Sequence, residues 1–248
     1  MKKYIKIIGL CLALIVTSCA KKEECKYDAV GDCGGNGKKP MVDLVILIDT
    51  SGSMSTIASS VSNEAASAIS DALKNCDSDL RITYLGLDGG FWPGTNFTTD
   101  SRTYLQSLYG SPITFAADRP FKGYIAEQGA NGIEDISKYF DWRPGACRAI
   151  FYISDEELDS ILPIGDIANE DAETNAAIVE AKKNKVAVFA NYLTYQGRGP
   201  SILQNYTDLT SMTGGVLFTT SLSTLPTNYY SINKVFDDIV CNACNGCN

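Results

Sequence analysis

The sequence predicts a doubly wound α/β fold: a mostly parallel, Rossmann-like sheet with helices on both faces. Three observations carry this. Short β-branched apolar runs alternate with longer stretches whose apolar residues recur every three or four positions. The runs at residues 44–48 and 149–153 are apolar without alternation, as strands buried on both faces are. Both runs lead into an aspartate, Asp49 and Asp155. In open α/β sheets the carboxyl ends of the strands are where ligands bind.

Taken in order, residues 42–48 read as the first strand and residues 55–76 as a helix. Its stripe is Ile57, Val61, Ala65, Ala68, Ile69, Ala72 and Leu73. Residues 80–87 read as the second strand. Residues 89–120 are irregular, with an edge strand expected near Phe97 and a short helix near Tyr104–Tyr109. A helix at 131–140 and a buried strand at 148–154 follow. Then come a helix at 170–184, a strand at 186–190 and a helix at 201–213 stopped by Gly214-Gly215. A short strand at 216–218 and a helix at 228–240 complete the pattern. The expected division is a signal segment at 1–18, a tether at 19–40, one domain at 41–240 and a cysteine-rich tail at 241–248.

Composition narrows the function. The 248 residues are 45% hydrophobic, enough for one full core. Without the three lysines of the first eighteen residues, the net charge goes from −8 to −11. An acidic chain with no basic stripe argues against nucleic acid as a partner. The absence of histidine removes Ser-His-Asp and Cys-His catalysis and the commonest zinc ligand. With no nucleophile elbow either, the expectation is a protein that binds and does not catalyse.

The chain begins Met1-Lys2-Lys3, and an apolar segment runs from Ile5 to Val16. That segment is shorter than the roughly 20 residues a spanning helix needs and reads as a signal region. Val16-Thr17-Ser18-Cys19 resembles a bacterial lipobox, which implies cleavage before Cys19 and lipidation of its sulfur. The paired acids after Lys21-Lys22, Glu23 and Glu24, resemble an export signal of surface lipoproteins. The expected location is the outer membrane of a Gram-negative bacterium, exposed at the surface.

The first strand leads into Asp49-Thr50-Ser51-Gly52-Ser53-Met54. One carboxylate and two hydroxyls offer oxygen alone, the donor set of a hard cation. A phosphatase loop would need a second aspartate where Ser51 stands. This Asp-x-Ser-x-Ser pattern resembles the metal-ion-dependent adhesion site of von Willebrand factor A (vWA) domains. The order of elements over residues 41–240 resembles that family too, as does Thr213-Gly214-Gly215 before the last strand. The resemblance implies the vWA fold and a bound Mg²⁺ (or Mn²⁺ or Ca²⁺) held by Asp49, Ser51, Ser53 and Asp155. The family's second loop usually supplies a threonine, but residues 126–133 hold none. Glu127 before a Gly-rich helix start, with Trp142-Arg143 further on, resembles the I-like domain of integrin β subunits. Glu127 is then the implied ligand of that loop, or else a first-turn acid favouring the helix dipole. Glu156, Glu157 and Asp159 make the third loop acidic, either for a second cation or as a solvated face.

Nine cysteines are present. Cys11 lies in the signal and Cys19 is the lipid site. Cys25, Cys33, Cys76, Cys147, Cys241, Cys244 and Cys247 fall where strands start or helices end, so they are expected on the face opposite the metal loops. Disulfides are the default outside the cytosol, with Cys76–Cys147 one candidate pair. The tail spacing could instead hold zinc or an iron–sulfur cluster, each of which needs a fourth ligand.

These features together imply a surface lipoprotein. Its lipid anchors it to the membrane, and its cation engages a protein or matrix partner that offers a carboxylate. An architectural subunit of an envelope complex, with the ion permanently held, is the alternative. Replacing Cys19 by alanine should move the protein to the soluble fraction and end palmitate labelling. Membrane partition and labelling that persist in the variant would exclude lipidation at this site.

Overall fold

The computed structural model describes residues 39–75, 77–88, 92–118, 128–158, 167–194, 200–221, 236 and 238–240. The signal segment, most of the tether, Glu127, Asp159 and the cysteine-rich tail lie outside them. So do Cys19, Cys25, Cys33, Cys76, Cys241, Cys244 and Cys247. Among the described residues no helix is long and apolar enough to cross a membrane.

Five strands form one parallel sheet in the order β2-β1-β3-β4-β5. They are β1 (Met41–Ile48), β2 (Asp79–Gly86), β3 (Cys147–Ser154), β4 (Val186–Thr194) and β5 (Leu217–Ser221). The helices are α1 (Ser55–Asn75), α2 (Ser101–Ser107), α3 (Gly129–Tyr139), α4 (Ile167–Lys183) and α5 (Pro200–Thr213). Side-chain alternation sends each central strand into two cores. Leu44, Ile46, Ile48, Ala149, Phe151, Ile153 and Phe189 pack with α1 and with Phe236, Ile239 and Val240. Val45, Leu47, Ile150, Tyr152 and Val188 pack with α3, α4 and α5. The sheet is therefore covered on both faces, which is why its strands read as unbroken apolar runs.

The chain goes from β1 through α1 on one face to β2, then returns through α3 on the other face to β3. The direction of winding thus reverses between β1 and β3. Such a switch point opens a crevice at the carboxyl ends of the two strands.

Two expectations need revision. The segment near Phe97 is a turn, not an edge strand. Thr95 Oγ1 donates to the Trp92 carbonyl at 2.7 Å and accepts the Phe97 N–H at 3.1 Å. These local bonds curl the chain, with Gly94 at φ 79°, and leave only a single bridge between Gly86 and Asp100. Phe97 is still core: its ring meets Tyr84 edge-on at 5.6 Å. The short helix α2 begins earlier than expected, because Asp100 caps it by accepting the Thr103 N–H at 2.8 Å. Gly215 has a steric role. A Cβ there would lie 1.9 Å from the Val188 carbonyl oxygen, so only glycine lets the chain after α5 pass β4 so closely.

Asp43 interrupts the apolar run of β1 and has no exposed surface. It lies beside Arg81 of β2 in the register, with Arg148 of β3 on its other side. Arg81 donates to its two oxygens at 3.0 and 2.8 Å, and Arg143 adds its Nε at 2.6 Å and its backbone N–H at 2.7 Å. Arg143 also donates to the carbonyls of Val42 and Asp79, while Trp142 donates to the Ser137 carbonyl at 3.2 Å. The Trp142-Arg143 pair thus closes the α3–β3 connection onto the start of β1, at the opposite end from Asp49. Cys147 is buried at the first position of β3 and takes part in a disulfide, every other cysteine of the chain lying outside the described residues.

Removing one partner of a buried ion pair costs roughly 3–5 kcal/mol, and the partial exposure of the arginines places this pair at the low end. Arg143→Ala is expected to lower the unfolding free energy by about 3 kcal/mol in urea titrations. A change within about 0.5 kcal/mol would mean that Arg81 alone suffices.

Candidate functional site

The crevice at the switch point brings together two loops more than a hundred residues apart. Asp49 follows β1 directly, and its N–H donates to the Ile153 carbonyl of β3 at 3.0 Å. Its carboxylate is fully buried. Oδ1 accepts the Ser51 N–H at 2.6 Å, and Oδ2 accepts the Ser154 hydroxyl at 2.8 Å. The chain then makes a single 3₁₀ turn at Gly52–Met54, with Met54 buried as its anchor and Ser53 left exposed. Ser51 Oγ and Ser53 Oγ lie 2.9 Å apart, and Ser53 Oγ donates to Asp155 Oδ1 at 3.0 Å. The expected residues Asp49, Ser51, Ser53 and Asp155 therefore converge. Glu127 lies outside the described residues, one position before Gln128, the N-cap of α3.

Sequence reasoning missed three supports of this site. Ser154 bridges the loops, since its Oγ donates to Asp49 and accepts the Glu156 N–H at 2.9 Å. The register of the sheet brings it there: Ile48 pairs with Ile153, so the next residue of β3 falls beside Asp49. Thr50 Oγ1 donates to the Asp88 carbonyl at 2.5 Å and ties the first loop to the end of β2. Tyr206 of α5 donates to the Glu156 carbonyl at 2.8 Å. A lone tyrosine on an amphipathic helix gives no sequence signal of such a role.

Electrostatics set Asp49 apart. Burial pushes its acid up to about 7 from an ordinary 3.8, and neighbouring Asp155 adds to the rise. The hydrogen bonds from Ser51 and Ser154 oppose it without cancelling it. No arginine or lysine among the described residues pairs with Asp49 or Asp155. No group of three His, Cys, Asp or Glu side chains suited to a metal occurs among the described residues either. The described donors are instead two carboxylates and two hydroxyls, all oxygen. That set suits a hard cation that keeps part of its water.

No protein-family model matches the chain, and neither does any curated protein. Solved structures give distant likenesses. A point mutant of the PilB minor pilin from Streptococcus sanguinis aligns at 14% identity and TM-score 0.46, covering 84% of this chain and 62% of that one. This chain thus spans less than two thirds of the pilin's length. The conserved hypothetical protein BatB from Bacteroides thetaiotaomicron aligns at 17% identity and TM-score 0.42, covering 82% and 98%. A two-electron reduced flavodoxin from Megasphaera elsdenii aligns at 14% identity and TM-score 0.33, covering 79% and 98%. Every score is below 0.5, so none of these likenesses bears on function. The α/β class rests on the chain's own strand order and pairing.

The raised Asp49 acid makes stability depend on pH with a definite sign. Without a cation, the folded state holds a proton that the unfolded state releases above pH 3.8. Asp49 therefore contributes most stability below that pH, and the contribution falls as pH rises toward about 7. In chelator, its share should drop by about 3 kcal/mol between about pH 5 and about pH 8. Urea titrations at both pH values should show this drop in the wild type and its loss in Asp49→Asn. Equal slopes in the two proteins would mean that Asp49 titrates normally.

Proposed function

We propose that the chain carries a vWA-type domain with a divalent cation, Mg²⁺ (or Mn²⁺ or Ca²⁺), at the crevice between β1 and β3. Asp49, Ser51, Ser53 and Asp155 would hold the ion, with Glu127 as a further ligand from the loop before α3. Bound there, the ion would supply positive charge for two crowded carboxylates and an open position for an acidic side chain of a protein or matrix partner. Lipidated at Cys19 and displayed on the outer membrane, the domain would act as a cation-dependent adhesin. It would not act as an enzyme, and nucleic acid is no part of the proposal.

The observation that carries the proposal is the unequal treatment of two carboxylates on and just after one strand. Both are buried. Asp43 receives two guanidinium groups from the chain. Among the described residues Asp49 receives only hydrogen bonds, and the nearby Asp155 carboxylate repels its charge. Burying a charge without a partner is costly, and a group left so either neutralises or takes an ion. The exposed Ser53 leaves the site open to solvent.

An ion that binds only the folded state stabilises it by about 2.7 kcal/mol at a hundredfold excess over Kd. Mg²⁺ or Mn²⁺ should therefore raise the Tm of the wild-type domain, and chelator should reverse the rise. Asp49→Ala should fold and show no response. An identical response in both proteins would place the ion elsewhere. Chelator-sensitive capture of cell-surface partners would support adhesion, whereas capture indifferent to chelator would favour the architectural role.

A further inference from the structure

Residues 155–158 carry Asp155, and the rest of the fold holds this loop in ways the ion itself would not require. On one side, the Leu158 carbonyl accepts the Ala130 N–H of α3 at 2.9 Å. On the other, the Glu156 carbonyl accepts the Tyr206 hydroxyl of α5 at 2.8 Å. Between them, the Glu156 N–H donates to Ser154 Oγ at 2.9 Å, and the Ser154 hydroxyl donates to Asp49 Oδ2 at 2.8 Å. One hydrogen-bonded path thus runs from α5 to the carboxylate that ends β1. Both polar groups of Glu156's peptide units are used in it, one on each side of the residue next to Asp155.

Tyr206 cannot swing away from this path. It is fully buried, with its ring nearly parallel to Tyr152 at 6.2 Å and tilted against Tyr192 at 5.0 Å. Tyr152 comes from β3 and Tyr192 from β4, so the sheet fixes the ring and the ring fixes the hydroxyl. Gly129, at the first position of α3, leaves the room Tyr152 needs. A Cβ there would lie 2.5 Å from the Tyr152 hydroxyl oxygen.

We propose that Tyr206 and Ser154 are positioning residues that hold the Asp155 loop against Asp49, and that through them α5 is coupled to cation affinity at the crevice. The ion-binding half of this rests on the function proposed above. The positioning half does not, because its bonds exist without an ion. Coupling is reciprocal: if a displaced α5 weakens the ion, the ion must in turn steady α5.

Tyr206→Phe keeps the ring and removes only the hydroxyl. Ser154→Ala removes the bridge, and Ser154→Thr restores a hydroxyl. The full domain of each would be compared with wild type by calorimetric titration with Mg²⁺ and by amide hydrogen exchange in chelator. Losing an outer support of a metal ligand typically costs 10–100-fold in affinity. Tyr206→Phe and Ser154→Ala should each raise the Mg²⁺ Kd about tenfold, and Ser154→Thr should recover most of it. The amides of residues 155–158 should exchange faster in Tyr206→Phe without ion, while the β1 and β4 amides stay as in wild type. Wild-type Mg²⁺ affinity and wild-type exchange in Tyr206→Phe would overturn the proposal. A uniform rise in exchange across the sheet would also overturn it, because the hydroxyl would then serve general stability. If wild type itself bound no Mg²⁺, the proposed function would fall, and loop exchange alone would decide the positioning role.

Discussion

Asp43 is the residue around which the sheet has to be in register. Its carboxylate has no contact with water, so the fold must bring it positive charge from elsewhere in the chain. Arg81 arrives from the neighbouring strand, directly across in the register. Arg143 arrives from the turn after α3, a hundred residues later, and reaches the carbonyls of Val42 and Asp79 as well. Sliding β2 by one residue would move Arg81 to the other face and leave the carboxylate short of a partner. Asp141 and Phe140 extend the lock. Asp141 accepts from Arg81 at 2.9 Å and from Tyr104 at 3.1 Å, and the guanidinium of Arg81 lies 5.2 Å over the Phe140 ring. Once these bonds form, the β1–β2 register, the entry to β3 and the packing of α2 beside α3 are set together. The crevice at the far end of β1 inherits its geometry from this arrangement.

Much of this was legible in the residues. Strands buried on both faces advertise themselves, as 44–48 and 149–153 did, and α1 declared its apolar stripe at Ile57, Val61, Ala65, Ala68 and Ala72. Asp49 and Asp155 could be placed at one crevice because each follows such a run. Phe97 could not be read correctly, because the hydroxyl of Thr95 decides the path there and a strand-like residue sits inside a turn. Asp43 was hidden for a different reason. A single charge in an apolar run gains meaning only when its partners are known, and those lie 38 and 100 residues away. Ser154 and Tyr206 share that difficulty, since their roles come from packing between elements and not from local pattern.

The tyrosine group beneath the crevice shows how a parallel sheet supports a polar site. Tyr152 and Tyr192 project from adjacent strands toward α5 and enclose Tyr206. Burial raises the Tyr206 phenol above its ordinary range, which keeps it protonated and able to donate. Stacked rings give the stiffness that a loop after a strand lacks, and aromatic pairs add about 0.5–1.5 kcal/mol beyond area burial.

Asp43 draws its counter-charge from the chain itself, so the sheet can close before anything from solution reaches Asp49. In a small zinc domain the metal is an ingredient of folding. Here the core would already be complete, and an ion would enter as a late occupant of a finished vessel. Which ion settles there would then follow from what the surroundings supply. One folded chain could be charged, emptied and charged again with a different metal without passing through the unfolded state.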